Sequence, residues 1–420
     1  MKKTFSALPR LATAALFVLV PACTPAQQAL TWDQVKARFE AANPALKADA
    51  LNVDEMRAQE ITANLRPNPQ FTQTVDGTQI ARNNGVWQPL AGTFVQPAVT
   101  YLHERDHKRE LRTESAKEGT QIGESQHEDL KRNLEFNLRT AFNNTLQAKA
   151  VLDLARADLD YYDHIIRISS DRYHAGDIAQ VDLDRIELQR VQYESELQTA
   201  MVNLRTAKIQ LLQLLNDRTP VEQFDVTGPF DFSEALRPLD DFRQMAIDSR
   251  PDLRAALETI QQSQTNHKLA EANGSTDPTF GFDIGRNPPI PAYFGVSVNI
   301  PLRIFDRNQG EKARTQIDIG RNEKLREAAQ AQVFSDVDSA YWTIVQTVNL
   351  MKPYKSKYLE LATDTRNKVS FAYQHGGASL LDYLDAEKAY RDTRLAYLTL
   401  IGSYLVAAAQ MNQAVGREVI

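Results

Sequence analysis

The residues best suited to chemistry begin with His103-Glu104-Arg105-Asp106-His107, a literal H-E-x-x-H string. On a helix, that spacing puts two imidazoles on one face to hold zinc, with the glutamate as general base. Glu124, His127 and Glu128 are available downstream as a third ligand. A second candidate is Asp382 with Asp385, three residues apart at the start of a helix and therefore on one face. Asp182 and Asp184 echo them two hundred residues earlier. Ser379-x-x-Asp382 also reads as a capping box, where serine and carboxylate satisfy the first backbone N–H groups of the helix. The third is Cys23, the only cysteine in the chain, directly after Val20-Pro21-Ala22. An aliphatic and then a small residue before cysteine is the pattern of a lipid-attachment site; cleavage after Ala26 is the other reading. A lone cysteine excludes disulfide staples. No phosphate loop, catalytic carboxylate pair or nucleophile triad is recognisable, so no enzyme, metal or cofactor is expected.

The elements that must position these residues are written twice. Tyr173-His174-Ala175-Gly176 through Asp182 to Glu187 recurs as Tyr373-Gln374-His375-Gly376 through Asp382 to Glu387. Asn43-Pro44-Ala45-Leu46-Lys47 matches Arg250-Pro251-Asp252-Leu253-Arg254, and Asn68-Pro69-Gln70-Phe71 matches Asp277-Pro278-Thr279-Phe280. The landmarks keep their order, which marks a duplication of one large unit. The expected division is a leader over 1–22, a first repeat over 30–228 and a second over 229–420. The H-E-x-x-H string falls where the second repeat has Phe305-Asp306-Arg307-Asn308-Gln309. No counterpart of the two histidines stands there, and Lys108-Arg109-Glu110 beside it is charged, so the string reads as a surface coincidence.

Met1-Lys2-Lys3 and Arg10 precede an apolar run over 11–22, a secretory leader too short to span a bilayer. The net charge of −6 excludes a nucleic-acid binder by balance. No later run is apolar enough for a transmembrane helix, so a membrane could be crossed only by strands closed into a barrel. Such strands are legible in the second repeat. Phe280, Phe282 and Ile284 alternate with Thr279, Gly281, Asp283 and Gly285, then Phe294, Val296, Val298 and Ile300 alternate with Tyr293, Gly295, Ser297 and Asn299. One apolar and one polar face at period two is the pattern of a membrane-barrel strand. Less regular strands are expected near 70–75 and 93–99. Two hairpins supply four strands, too few to close a barrel, so the chain must oligomerise.

Each repeat is expected to run helix, strand pair, very long helix, tight break, long helix. Leu130, Leu134, Leu138, Phe142 and Leu146 form one stripe; Val333, Val337, Tyr341, Val345 and Val348 form its counterpart. Proline is absent from 105–172, which predicts one continuous helix of roughly 100 Å that must pack lengthwise on others. Partner helices are expected over 178–216 and 379–415, with a local bend at Pro353. Gly176 and Gly376 sit where a helix C-terminus requires the left-handed conformation.

Tyr373-x-x-Gly376, Leu381-Asp382-Tyr383-Leu384-Asp385-Ala386-Glu387, the junction Pro301-Leu302-Arg303-Ile304-Phe305-Asp306-Arg307-Asn308-Gln309-Gly310 and the twofold repeat resemble the TolC family of outer-membrane efflux proteins across essentially the whole mature chain. The resemblance implies an α+β membrane protein: a homotrimer that closes a twelve-stranded barrel in outer-membrane lipid, above a long helical barrel reaching through the periplasm. It implies a passive exit duct, gated at its helical tips and served by a periplasmic adaptor and an inner-membrane transporter. It also implies that Asp382, Asp385, Asp182 and Asp184 line the periplasmic entrance, that Tyr373 latches the closed state, and that the tips at Gly176 and Gly376 dock the adaptor. One departure is that no arginine lies between Gly376 and Asp382. The mean hydropathy of −0.44 is low for a membrane protein, and fits one in which only short strands touch lipid. The alternative is a periplasmic coiled-coil lipoprotein with a structural or adaptor role.

Overall fold

The computed structural model describes residues 29–420. The leader over 1–22 and Cys23 lie outside the described residues. The chain opens with α1 (Trp32–Ala42) and α2 (Pro44–Ala63), then β1 (Gln70–Asp76) and β2 (Phe94–Leu102). Next come the very long α3 (Lys108–Ala175) and its return α4 (Gln180–Leu214). The order then recurs: α5 (Leu239–Ser249), α6 (Pro251–Ala272), β3 (Thr279–Asn287), β4 (Ile290–Asn299), α7 (Gln309–Pro353), α8 (Leu359–Gln374) and α9 (Leu380–Val415).

The single helix expected ahead of each strand pair is in fact two. Proline disfavours helical backbone in the residue before it, and Asn43 and Arg250 are extended, at ψ 122° in both. The Asn43 side chain then accepts from Leu46 N at 3.1 Å and so caps α2, whose first residue is Pro44. The repeated Asn-Pro and Arg-Pro pairs are therefore helix junctions. Helix α3 is uninterrupted over 68 residues, roughly 100 Å at the usual rise. Its second-repeat counterpart breaks after Pro353 into a π turn (Tyr354–Tyr358) before α8, as expected where proline removes a donor from the ladder.

The strands form one antiparallel sheet in the order β1-β2-β3-β4. Register aligns Phe71, Val99, Phe282 and Val296 across all four strands, and each is exposed. The next row, Thr72, Ala98, Asp283 and Gly295, faces the other way. Gln96 Nε2 donates to Asp283 Oδ2 at 2.9 Å on that polar side. The sheet thus carries an apolar face and a polar face, and its outer strands β1 and β4 each keep one open edge.

Helical packing concentrates in three places. Val35, Phe39, Leu138, Phe142, Leu211 and Phe224 join α1, α3, α4 and the chain after α4. Phe242, Val333, Val337, Ile344, Tyr404 and Met411 do the same for α5, α7 and α9. The third cluster, Tyr162, Ile165, Ile186, Tyr193, Tyr373 and Tyr383, lies at the end of the long helices away from the sheet and is mostly tyrosine. No helix among the described residues is long and apolar enough to cross a membrane.

Candidate functional site

The H-E-x-x-H string does not form a helical metal site. His103 follows the last residue of β2, and α3 begins only at Lys108. Asp106 and His107 hold left-handed backbone, with φ of 55° and 57°. The two imidazoles therefore never share a helix face. Glu104 instead binds Arg112 at 2.8 Å, and that arginine also donates to the carbonyls of Ala63 and Leu65. Beside it the buried Lys108 ammonium meets Asp277 at 2.6 Å and the Ser275 carbonyl at 3.0 Å. These bonds fasten the strands to the helices. Glu124 pairs with Arg57 and His127 with Asp49, so neither is turned toward the string. Among the described residues, no three His, Cys, Asp or Glu side chains gather as a metal site.

The tips are built from the repeated Tyr-x-x-Gly segments. Gly176 and Gly376 take φ of 84° and 76°, a conformation with no steric cost only for glycine. Asp177 N donates to Arg172 O and Gly176 N to Tyr173 O; Gly377 N donates to Ala372 O and Gly376 N to Tyr373 O. Both helices thus end in the same paired closure. Beyond it, Ser379 and Asp382 cap α9 reciprocally: Ser379 N donates to Asp382 Oδ2 at 3.1 Å, and Asp382 N to Ser379 Oγ at 3.2 Å. Hydrogen bonds from the Ser379 hydroxyl and amide hold the Asp382 carboxyl below the usual carboxylate range. Ser379→Ala is expected to weaken this helix start by about 1 kcal/mol. Faster amide exchange over the first turn of α9, with assembly retained, is the measurement.

Asp382, Asp385 and Asp184 are exposed and Asp182 is half-buried. Among the described residues none of the four joins an ion pair; nearby Arg190 pairs with Asp163 and Lys388 with Asp392. Tyr373 behaves differently: it is 2% exposed and sits between the two hairpins, α3/α4 and α8/α9. Its hydroxyl lies 3.3 Å from Ser169 Oγ, and its ring stacks on Tyr383 at 5.1 Å. The Arg172 guanidinium lies 4.9 Å from the ring centroid and donates to the Tyr373 carbonyl at 2.6 Å. One turn or more back, Tyr161 and Ser370 bond through their hydroxyls at 2.9 Å. Helices α3 and α8 therefore meet at the tip through polar bonds around one buried tyrosine.

Sequence reasoning singled out Tyr373 and missed its partners. No arginine lies between Gly376 and Asp382, and the guanidinium that meets Tyr373 is that of Arg172 on α3. Nothing in the local sequence of either segment signals that contact. The repeat also hides a difference: Tyr173 is only half-buried and leans on His174 at 5.7 Å, whereas Tyr373 is enclosed.

A family model described as outer membrane efflux protein matches residues 242–417. The cobalt-zinc-cadmium resistance protein CzcC of Cupriavidus metallidurans is 24% identical over 400 residues, covering 92% of this chain and 90% of that one. The pyoverdine export outer membrane protein OpmQ of Pseudomonas aeruginosa is 22% identical, over 65% of this chain and 60% of its own. Among solved structures, CusC superposes with a TM-score of 0.78 at 18% identity, covering 92% of both chains. The open state of the Neisseria gonorrhoeae MtrE outer membrane channel superposes with a TM-score of 0.73 at 19% identity, covering 91% of this chain and 88% of that one.

Proposed function

Because the chain belongs to the outer membrane efflux protein family, we propose that three copies form its working unit, a passive exit duct. It is an outer-membrane efflux channel subunit that extends into the periplasm. The observation that carries the trimer is the sheet. Four strands leave an open edge at β1 and another at β4, and the row Phe71, Val99, Phe282 and Val296 presents an apolar face. Open edges in lipid are untenable, so edge must meet edge between copies. Three copies close twelve strands around an interior of polar rows such as Thr72, Ala98, Asp283 and Gly295. A structural coiled-coil protein would leave this apolar face in water.

The long helices continue the duct through the periplasm, where the 30–228 and 229–420 repeats alternate around the axis. A periplasmic adaptor docks at the tips marked by Gly176 and Gly376, and an inner-membrane transporter supplies the energy. Opening separates the α8/α9 hairpin from α3 at Tyr373. Purified protein is expected to run as a heat-modifiable trimer from outer-membrane fractions and to form channels in planar bilayers. A monomeric, non-conducting protein in the soluble periplasmic fraction would overturn the reading.

The exposed carboxylates Asp382, Asp385 and Asp184 and the half-buried Asp182 ring the entrance in this arrangement. Threefold repetition brings like charges together and favours cations there. The named role of the CzcC relative supports divalent metal cations as cargo. The double variant Asp382→Asn with Asp385→Asn is expected to relieve block by divalent cations several-fold in bilayer recordings. Unchanged block would remove these two residues from the entrance. Cargo is tested separately: the chain should restore zinc and cadmium tolerance to a cell that has the matching pump and adaptor but lacks a channel.

A further inference from the structure

Beneath the Tyr373 contact lie two acids that the duct reading does not use. Asp158 of α3 is 7% exposed and Glu387 of α9 is 3% exposed. Among the described residues neither accepts a hydrogen bond or joins an ion pair, and Glu387 Oε2 is fully enclosed without a partner. The Tyr383 hydroxyl, one helical turn before Glu387, is likewise enclosed and unpartnered. Two nearly buried carboxyls with no donor are costly as anions and tolerable as neutral acids.

We propose that Asp158 and Glu387 form a proton-operated lock between the two helical hairpins, closed while the pair holds protons and loosened when both carboxyls ionise. This rests on the duct reading only for the consequence that loosening opens the tip.

The surroundings define the sign. Facing the pair are Tyr161 and Tyr162 from α3, Tyr193 and Glu196 from α4, Arg366 from α8, and Tyr383, Arg391 and Arg394 from α9. The arginines lean toward other partners, although the buried Arg391 Nη1 makes no hydrogen bond. Arg366 lies over the rings of Tyr390 and Tyr161 at 3.9 and 4.7 Å, Arg391 pairs with Glu196 at 3.5 Å, and Arg394 donates to the Tyr390 hydroxyl at 2.6 Å. Burial, followed by the charge of Asp158, pushes the Glu387 carboxyl up to about 7 against the pull of Arg366 and Arg391. Burial likewise pushes Asp158 up to about 6, against the three arginines. The raised values mean that the packed hairpins bind more protons than the separated ones. Packing is therefore favoured at low pH and loses support as pH rises from the ordinary carboxylate range to about 7. The repeat supplies an internal contrast, since Glu187, at the equivalent position of α4, is exposed.

The experiment uses the full-length trimer. Between pH 5 and 7.5 the ratio of open to closed channel is expected to rise on the order of tenfold, since each unit of pKa displacement is worth up to tenfold. Glu387→Gln, which keeps shape and stays neutral, should abolish most of that rise and hold the channel at its acid level; Asp158→Asn should flatten the remainder. Amide exchange of wild-type peptides covering 158–175 and 366–387, corrected for intrinsic pH dependence, should accelerate over the same interval. A Glu387→Gln channel that follows pH as wild type does, or wild-type exchange that ignores pH in these peptides, overturns the lock. Exchange that responds in a protein that never conducts would keep the lock and discard the duct.

Discussion

The double variant Arg172→Ala with Tyr373→Phe is expected to raise channel conductance several-fold without loss of the trimer. The substitutions remove the polar bonds that Tyr373 makes to α3 while keeping the buried ring. The bond from Arg172 to the Tyr373 carbonyl, at 2.6 Å, is charge-assisted and contributes about 1.5–3 kcal/mol. The guanidinium against the ring, at 4.9 Å, adds about 0.5–2 kcal/mol. The 3.3 Å hydroxyl contact with Ser169 is long and adds less. A loss of about 3 kcal/mol per protomer shifts an opening equilibrium roughly a hundredfold. Tyr173→Phe, at the half-buried repeat position, should leave conductance unchanged. A double variant with wild-type conductance in an intact trimer would show that closure is held elsewhere.

Val296→Arg is expected to abolish assembly in the outer membrane. Val296 is 73% exposed in the middle of β4 and lies in the apolar row with Phe282 and Val99. An arginine facing lipid near the bilayer midplane costs about 2–4 kcal/mol, and a trimer carries that cost three times over. Ser297→Arg is the control, because adjacent strand residues point to opposite faces. Its charge would enter the lumen, so trimers should persist with altered conductance or ion preference. Equal loss of trimer from both variants would mean that the sheet has no lipid-facing side. The measurement is heat-modifiable trimer in outer-membrane fractions, followed by bilayer recording.

Closure at Tyr373 and the lipid-facing row belong to different levels of structure. The lipid-facing row was legible because strand periodicity is local: Phe280, Phe282 and Ile284 declare one face without reference to any other segment. Cross-strand registry then had little freedom, since a slip of one residue would turn every apolar side chain toward the lumen. The helix ends at Gly176 and Gly376 were legible for the same reason, as left-handed closure is a property of a few consecutive residues. The Asn43-Pro44 and Arg250-Pro251 breaks carried an equally local signal. Besides marking the repeat, proline at the first helical position states a helix start plainly.

The sequence by itself determined the duplication, the two-faced strands, the long helices and the need for more than one copy, because each follows from short-range periodicity or from counting strands. Only the tertiary structure decided what the repeated residues do. Tyr173 and Tyr373 are the same letter in the same motif, as are Glu187 and Glu387, yet the second of each pair is enclosed and the first is not. Whether an H-E-x-x-H string is a metal site depended on where α3 begins, and two left-handed residues put that start beyond both histidines. Arg172, which meets Tyr373, lies some two hundred residues away in the chain. Burial, and with it the energy of a charge or a hydroxyl, is set by which helices are brought side by side, and no local pattern in either helix records it.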